Sequence, residues 1–243
     1  MNFVSILREG SEAAGTILAR WSDRLPPMGT MPQRSMTARA LLYDLLQGVA
    51  GDAAADWRLE MGSSGRPTLS SPNVSSPALS AAGTGFPFPS VSIAHSGGWV
   101  MCGLSRDGDI GIDLEELRSG RDWPAMAETA FGPREVQRAA ADGMPGFYRL
   151  WTLREAMAKA TGAGWAAVTD RQDRADGGPD TGTWSASHDG SSWSLWHERM
   201  ICRATRRQFS IAVACRYRAK TSPTSHMPLK WWHLSRELQM MGA

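Results

Sequence analysis

Cysteine is scarce in this sequence of 243 residues, which contains three in all and no C-x-x-C pair. An odd, widely spaced set disfavours both a disulfide framework and a zinc site. No stretch approaches about 18 consecutive apolar residues, so we expect no membrane-spanning helix. The first apolar run is interrupted by Arg8 and Glu9, which disfavours a secretory signal peptide. These absences predict a cytoplasmic protein.

The sequence also lacks a large excess of either charge. Its 26 Lys and Arg against 24 Asp and Glu give a formal net charge of +2. This balance argues against a nucleic-acid-binding protein, because such proteins usually carry a clustered basic excess. Tyrosine is rare, with 3 residues, whereas tryptophan is frequent, with 11. The length lies between one and two domains of about 150 residues each.

Hydrophobic periodicity predicts a mixture of helices and strands. A helix is expected over 35–51, where Leu41, Leu45 and Val49 recur every fourth residue. Three apolar runs between 90 and 114, separated by turn residues, predict an antiparallel meander. The stretch 62–89 is rich in Ser, Pro and Gly and predicts a long surface connection.

The second half of the chain predicts further elements of both kinds. Helical pieces are expected over 123–142, broken at Gly132 and Pro133, and a clearer helix over 146–161 that ends at Gly162. Strands are expected over 183–187, 193–202 and 209–217. After a linker, apolar residues on one helical face predict a tail helix over 228–241.

Two carboxylates in the third apolar run are candidate metal ligands. Asp113 and Glu115 lie two residues apart in a predicted strand, so they project from the same face. Adjacent carboxylates repel each other unless a cation lies between them, and magnesium prefers oxygen ligands. When the motif is taken alone, a solvated acidic pair at the end of a strand, followed by Glu116, is the favoured explanation.

Two other motifs contain groups that could bind anions or take part in catalysis. Glu155 and Lys159 lie one helical turn apart, although an exposed ion pair worth about 0.3–0.5 kcal/mol also explains that spacing. The turn that begins at His95 and Ser96 offers a ring nitrogen, a hydroxyl and backbone amides, the groups that form an anion site. An exposed turn histidine is the alternative.

The order and spacing of these motifs together resemble a known family. The blocks are Gly65-Arg66-Pro67, Ser92-Ile93-Ala94-His95-Ser96-Gly97, Gly111-Ile112-Asp113-Leu114-Glu115 and Trp151-Thr152-Leu153-Arg154-Glu155-Ala156-x-x-Lys159-Ala160. From about Arg34 to Cys215 the chain resembles a 4'-phosphopantetheinyl transferase. The resemblance is to the larger, single-chain type that activates nonribosomal peptide and polyketide synthases. The third and fourth blocks carry most of its specificity.

The resemblance implies an α+β fold of two similar halves related by a pseudo-twofold axis, with the active site between them. The halves are expected at 1–116 and 117–220, followed by a linker and tail helix at 221–243. Such enzymes transfer the 4'-phosphopantetheine arm of coenzyme A to a serine hydroxyl of an apo acyl or peptidyl carrier protein, with magnesium as cofactor. They release adenosine 3',5'-bisphosphate. A monomer that binds neither nucleic acid nor membrane is expected.

The same resemblance assigns roles to individual residues. It implies that Asp113, Glu115 and Glu155 bind magnesium, and that Glu155 and Lys159 are catalytic. The residues expected to bind coenzyme A are Arg39, Gly65, Arg66, Pro67, His95, Arg154 and Lys159. Among these, His95 and Arg39 would hold the 3'-phosphate, and the Gly65–Pro67 block would line the adenine side.

The sequence departs from the family pattern at two positions. Ala94 replaces the usual serine before the motif histidine, and Ser92, on the same face, is expected to substitute in part. Arg154 replaces the usual lysine before the motif glutamate, so the charge is kept but the geometry changes. These departures leave open a catalytically weak module that binds carrier protein or coenzyme A. A magnesium-dependent nucleotide hydrolase ranks last, because the sequence has neither a P-loop nor a kinase signature.

Overall fold

We describe a computed structural model of the chain over residues 4–7, 17–22, 31–62, 65–71, 89–105, 108–165, 168, 172–177, 181–202, 206–217 and 238–240. These residues form three α-helices: α1 (Met31–Ala50), α2 (Trp123–Ala130) and α3 (Pro133–Thr161). A 3-10 helix follows α1 at Gly51–Asp56. No helix in the described ranges combines the length and the apolar character needed to cross a membrane.

Twelve strands accompany the helices in the same residues. They are β1 (Val4–Leu7), β2 (Ile17–Ser22), β3 (Arg58–Met61), β4 (Pro67–Ser70), β5 (Ser90–Ser96), β6 (Trp99–Ser105), β7 (Gly108–Glu116), β8 (Gln172–Gly177), β9 (Thr181–His188), β10 (Ser191–Cys202), β11 (Gln208–Tyr217) and β12 (Leu238–Met240). A first sheet has the order β1-β2-β6-β5, and a second has the order β7-β11-β10-β9-β8 with β12 beside β10. Strands β3 and β4 form a separate hairpin.

Strands β5 and β6 of the first sheet pack against other elements on both faces. On one face, Val91 of β5 and Val100 of β6 pack against leucines on one side of α1. On the other face, Ala94 and Met101 join a core formed with β7 and β11. Alternate residues of one strand therefore enter two different cores, as the period of two in a β-strand requires.

Serine hydroxyls join the two sheets where β5 runs beside β7. Every second residue of β5 except Ala94 is a serine whose oxygen accepts a backbone N–H of β7. The bonds are Ile110 N–H to Ser90 Oγ at 3.3 Å, Ile112 N–H to Ser92 Oγ at 3.1 Å and Glu116 N–H to Ser96 Oγ at 3.0 Å. Because both residue numbers rise together, β5 and β7 run in the same direction. We call this junction the serine seam.

The predicted meander is confirmed for its first two strands and wrong for the third. Strands β5 and β6 are antiparallel neighbours, with Ile93 opposite Cys102. Strand β7 instead pairs with β11, where Asp113 lies opposite Ala212. A Cβ at Gly103 of β6 would lie 2.8 Å from the Ile112 side chain, so β7 crosses the face of β6 and cannot extend its edge.

The predicted helices are largely confirmed. Helix α1 covers the expected range and begins at Met31. The break at Gly132 and Pro133 separates α2 from α3, and Gly162 ends α3 with the left-handed φ of 71° that glycine favours. The piece predicted after Pro133 and the helix predicted over 146–161 form one helix, α3, which is interrupted at Gly143, whose φ is 65°.

Two predictions for the remaining segments need correction. The expected surface connection 62–89 begins with strand β4, which pairs with β3, and its residues 72–88 lie outside the described ranges. The expected tail helix is wrong at Leu238–Met240, which forms β12 against Met200–Cys202 of β10. Strand β9 begins at Thr181, opposite Glu198, so its described residues do not pair with β10 beyond Glu198. Strand β12 pairs with β10 there. The rest of the predicted tail helix is outside the described residues.

Candidate active site

Helix α3 lies directly on strand β7 at a position where only glycine fits. A Cβ at Gly111 would stand 2.0 Å from the Ala156 carbonyl oxygen and 2.4 Å from the Ala160 backbone nitrogen. The glycine and the small side chains of α3 thus allow backbone-to-backbone approach. Two residues further along the same face of β7, Asp113 is brought opposite Lys159.

Asp113 and Lys159 form the best-defined contact of the site. Lys159 Nζ donates to Asp113 Oδ1 at 2.6 Å, and Asp113 is only 4% exposed. Burial raises the pKa of Asp113, whereas the lysine acts in the opposite direction. The other carboxylate oxygen, Oδ2, is buried without a hydrogen-bond partner in the described part of the chain.

Glu115 is held from the first sheet by Ser96. The Ser96 hydroxyl donates to Glu115 Oε2 at 2.7 Å while it accepts the Glu116 N–H of the seam. Arg121 lies beside the same oxygen, with its Nη1 at 3.9 Å. Burial raises the pKa of Glu115, and the nearby Asp113 charge raises it further, against the effect of the Ser96 bond.

Glu155 approaches the same cluster from α3, one turn before Lys159. Its side chain is half-buried. Burial raises the pKa of Glu155, and so does the charge of Asp113, whereas Lys159 lowers it. Asp113 therefore interacts electrostatically with both glutamates, and Lys159 is the cation that all three carboxylates share.

The three carboxylates are ligands of the type that a hard divalent cation prefers, although they are not close enough together to form a metal site in this structure. Among the described residues, no group of three His, Cys, Asp or Glu side chains has metal-binding spacing. Three carboxylates against one ammonium nevertheless leave negative charge uncompensated, and oxygen ligands suit magnesium. Asp113, Glu115 and Glu155 are the residues that could hold it, and the unpartnered Asp113 Oδ2 is the buried oxygen available to it.

His95 lies on the face of the first sheet that packs against α1, the helix that carries Arg39. His95 is exposed near the end of β5 and follows Val91 and Ile93 on that face. A charge on His95 would lower the pKa of Asp113, which places the ring within electrostatic range of the acidic cluster. Arg39 is exposed on α1, next to Ala38, whose carbonyl accepts the Cys102 thiol proton.

The Gly65–Pro67 block lies apart from the acidic cluster. Arg66 donates to Ser90 Oγ at 2.8 Å and lies 3.5 Å from Asp109 Oδ1. Ser90 begins β5 and is five residues from His95, a separation of about 16 Å along an extended strand. The structure therefore separates this block from the acidic cluster, and Arg66 ties the β3–β4 hairpin to β5 and β7. Its contact with the adenine side of coenzyme A stays a prediction.

Arg154 makes structural contacts away from the acidic cluster, and its contact with coenzyme A stays a prediction. Its guanidinium donates to Glu135 Oε2 at 2.6 Å and to the Ala130 carbonyl at 2.7 Å. It also lies between the rings of Phe131 and Trp165, 5.4 Å from each centroid. Consecutive residues of a helix point about 100° apart, so Glu155 can face β7 only while Arg154 faces away.

Ser92 cannot substitute for the serine that is missing at position 94. Its hydroxyl is buried and accepts the Ile112 N–H in the serine seam. Ala94 faces the same core and is also buried. The expected partial substitution is therefore wrong, because the packing of β5 on β7 occupies this whole face.

Loop arginines that the sequence did not single out also border the site. Arg207, between β10 and β11, donates to the Gly97 carbonyl at 3.2 Å and lies 3.5 Å from Glu116 Oε1. Arg118 pairs with the same glutamate at 3.2 Å. No spacing within the sequence connects these loops. Only the fold reveals that their positive charge gathers beside Glu116, the residue after Glu115.

A buried carboxylate and lysine pair, with two further carboxylates around it on a strand and a helix, defines a domain suited to phosphoryl-type group transfer. Residues 109–214, which contain all four of these side chains, match the family model described as the 4'-phosphopantetheinyl transferase superfamily. This segment belongs to that superfamily. The resemblance inferred from the motifs is thereby confirmed at the level of the superfamily.

Individual relatives agree with the family match. The 4'-phosphopantetheinyl transferase HetI of Nostoc sp. is 30% identical over 142 residues, which cover 57% of this chain and 55% of HetI. The 4'-phosphopantetheinyl transferase AcpT of Salmonella typhi is 31% identical over 83 residues, 32% of this chain and 43% of AcpT. A 4'-phosphopantetheinyl transferase of Bacillus subtilis is 32% identical over 83 residues, 32% of this chain and 36% of that protein. The matches span about half or less of each relative.

Proposed function

We propose that this protein transfers the 4'-phosphopantetheine arm of coenzyme A to a serine hydroxyl of an apo acyl or peptidyl carrier protein. The observation that carries the proposal is the cluster of Asp113, Glu115, Glu155 and Lys159 on β7 and α3. The cluster lies inside the segment that matches the superfamily. The names of HetI and AcpT support the same transfer.

The chemistry of this transfer matches the groups present. The serine oxygen attacks the phosphorus that carries the phosphopantetheine arm, and the bond from that phosphorus to the leaving adenosine 3',5'-bisphosphate breaks. The hydroxyl proton passes to Glu155, the carboxylate that α3 presents to the cluster. Lys159 stabilises negative charge on the phosphate oxygens. Bound magnesium, held by the three carboxylates, would neutralise negative charge on the two phosphates of the coenzyme A pyrophosphate.

The coenzyme A site is proposed to extend from this cluster toward the first sheet. His95 and Arg39 would hold the 3'-phosphate, Arg121 would add positive charge beside Glu115, and Arg207 would add it beside Glu116. An arrangement of two similar halves, as in the larger single-chain enzymes, is part of the proposal. It is supported by the two antiparallel sheets of the chain, β1-β2-β6-β5 and β7-β11-β10-β9-β8.

Mass spectrometry of carrier proteins tests the proposal. The full chain is incubated with coenzyme A, magnesium chloride and a panel of apo fatty-acid, polyketide and peptidyl carriers. We expect one carrier or more to gain the mass of a phosphopantetheine arm, and EDTA to stop the gain. Glu155→Gln and Asp113→Ala should abolish transfer, while Glu128→Gln, at an exposed position on α2, should retain it.

The other outcomes separate the competing functions. Binding of coenzyme A or a carrier without any transfer would favour the weak binding module over the enzyme. Release of nucleotide or phosphate without a protein acceptor would favour a hydrolase. Transfer by the Glu128→Gln variant but not by Glu155→Gln would locate the activity at this cluster, because both variants replace the same charge by the same amide.

A further inference from the structure

Buried polar groups connect α3 to the second sheet just before Glu155. Thr152 on α3, Ser210 on β11 and His197 on β10 are each no more than 2% exposed. Thr152 Oγ1 lies 3.0 Å from Ser210 Oγ, and Ser210 Oγ lies 2.8 Å from His197 Nε2. Apolar residues surround this chain of hydrogen bonds on α3 and β10. Burying hydroxyl and imidazole groups costs free energy unless they are hydrogen-bonded, and here they are bonded to one another.

The direction of each hydrogen bond follows from the geometry. The Thr152 hydroxyl donates to the Tyr148 carbonyl at 2.9 Å, so its oxygen accepts the Ser210 proton. The Ser210 oxygen then accepts from His197, which must carry its proton on Nε2. His197 Nδ1 has no partner in the described part of the chain, as expected for the nitrogen without a proton. Each hydroxyl thus donates once and accepts once.

This chain lies between the two glutamates of the proposed site. Ser210 is directly opposite Glu115 in the pairing of β11 with β7. Thr152 precedes Glu155 by three residues, so the two share a face of α3. The chain therefore fixes α3 to the sheet at the turn that presents Glu155, whereas the contact at Gly111 limits only how closely the helix approaches.

We propose that Thr152, Ser210 and His197 are positioning residues that set the rotation of α3 on the sheet and so hold Glu155 beside Asp113 and Glu115. The proposal rests on the proposed transferase function. An apolar contact lets a helix rotate by small steps without a large loss, whereas a directed hydrogen-bond chain does not. Thr152, which belongs to the Trp151–Lys159 block, then acts through Glu155 and needs no contact with substrate.

Variants of the same size test the proposal. Thr152→Val keeps the volume but removes the hydroxyl, and Ser210→Ala removes the next link. We expect both to lower kcat about tenfold or more and to leave the KM for coenzyme A within about twofold, while Thr152→Ser restores kcat. Thr129→Val is the matched control, because the Thr129 hydroxyl bonds only within its own helix, to Ala125. Circular dichroism and thermal melting, with assays well below every Tm, exclude unfolding.

Magnesium affinity provides a second measurement that does not depend on turnover. Calorimetric titration of the coenzyme A-bound protein with magnesium should give a severalfold weaker Kd for Thr152→Val than for wild type or Thr129→Val. Unchanged kcat and magnesium Kd in Thr152→Val would overturn the proposal, and so would a failure of Thr152→Ser to restore them. A wild-type protein that binds coenzyme A and magnesium but transfers nothing would overturn the transferase function. The positioning would then be judged from the magnesium Kd.

Discussion

The Ser96 hydroxyl lies 2.7 Å from Glu115 Oε2 and 3.0 Å from the Glu116 backbone nitrogen. A residue of the first sheet therefore orients a carboxylate of the second and also binds the strand that carries it. The hydroxyl has one proton, which it gives to the carboxylate, and its oxygen accepts the amide proton. Both contacts depend on the packing of β5 against β7.

Loss of this hydroxyl should impair transfer more than stability. Ser96→Ala leaves Glu115 without its donor, and hydrogen bonds to charged groups contribute about 1.5–3 kcal/mol. We expect kcat to fall about tenfold or more in the carrier assay. Ser70→Ala is the matched control, because Ser70 also donates to a glutamate, Glu60, at 2.7 Å but in the exposed β3–β4 hairpin. Equal activity of both variants would contradict the role of Ser96.

A methyl group at Gly111 should separate α3 from β7. Since a Cβ there would lie 2.0 Å from the Ala156 carbonyl, Gly111→Ala requires the helix to move. We expect a loss of about 1–3 kcal/mol in the free energy of unfolding in urea and a loss of transfer of at least a hundredfold. Gly120→Ala serves as the control, because no atom lies within 4 Å of a Cβ at that position. Full activity of Gly111→Ala would refute the close approach.

Replacement of Arg154 should affect folding and leave coenzyme A binding intact. Arg154→Met removes the partner of the buried Glu135 carboxylate, and breaking a buried ion pair in this way costs about 3–5 kcal/mol. We expect a large fall in the urea midpoint. The coenzyme A Kd, measured calorimetrically on folded protein at low temperature, should stay within about twofold. A much weaker Kd at unchanged stability would support the predicted contact of Arg154 with coenzyme A and contradict a purely structural role.

The serine seam should respond differently at two neighbouring positions. Ser92→Ala leaves the buried Ile112 N–H without its acceptor, which costs about 1–3 kcal/mol of unfolding free energy. Ala94→Ser places a hydroxyl at the one position of the alternation that lacks it, and we expect it to cost less than about 1 kcal/mol or to stabilise the fold. Urea unfolding measures both. If Ala94→Ser proved the more harmful, the seam would not extend through position 94.

Glu198 should make stability depend on pH above the acidic range. It is 1% exposed, and burial raises its pKa from 4.5 to about 8. The folded protein keeps this proton up to about pH 8, whereas the unfolded chain releases it near pH 4.5. The contribution of Glu198 to the free energy of unfolding therefore falls as pH rises, by about 1.4 kcal/mol per pH unit between these values.

Glu198→Gln isolates this contribution because the amide mimics the protonated carboxyl. We expect the variant to match the wild type near pH 4.5 and to become the more stable protein by pH 8, as measured by urea unfolding across that range. Glu128→Gln, on the surface of α2, should show no such difference. Parallel curves for the wild type and Glu198→Gln would mean that Glu198 is ionised in the folded protein.

Local patterns in the sequence predict most elements of the fold, but not their partners. Alternation locates β5, β6, β7 and β11 to within a few residues. The partner of β7 does not follow from its own pattern, because both edges of an apolar strand look alike until the packing of the sheets is known. The close approach of Gly103 to the Ile112 side chain places β7 across β6. The pattern of neither strand indicates this approach.

The candidate site shows the same division. Spacing places Asp113 with Glu115 and Glu155 with Lys159, since each pair lies within one element. That the two pairs meet depends on the contact of Gly111 with α3. The direction of Arg154 could not be predicted, because the motif records a positive charge and does not record the buried Glu135 that attracts it.

The serine seam leaves the two sheets free to diverge in sequence. Strand β5 supplies the side chains and β7 supplies backbone amides, with the Glu115 carboxylate as the one side-chain acceptor among these bonds, so substitutions elsewhere in β7 leave the chemistry of the junction unchanged. A change from serine to alanine in β5 deletes a single link and leaves the pairing of both sheets in register. The junction can therefore drift one link at a time, and Ala94 occupies a position at which this chain does without one.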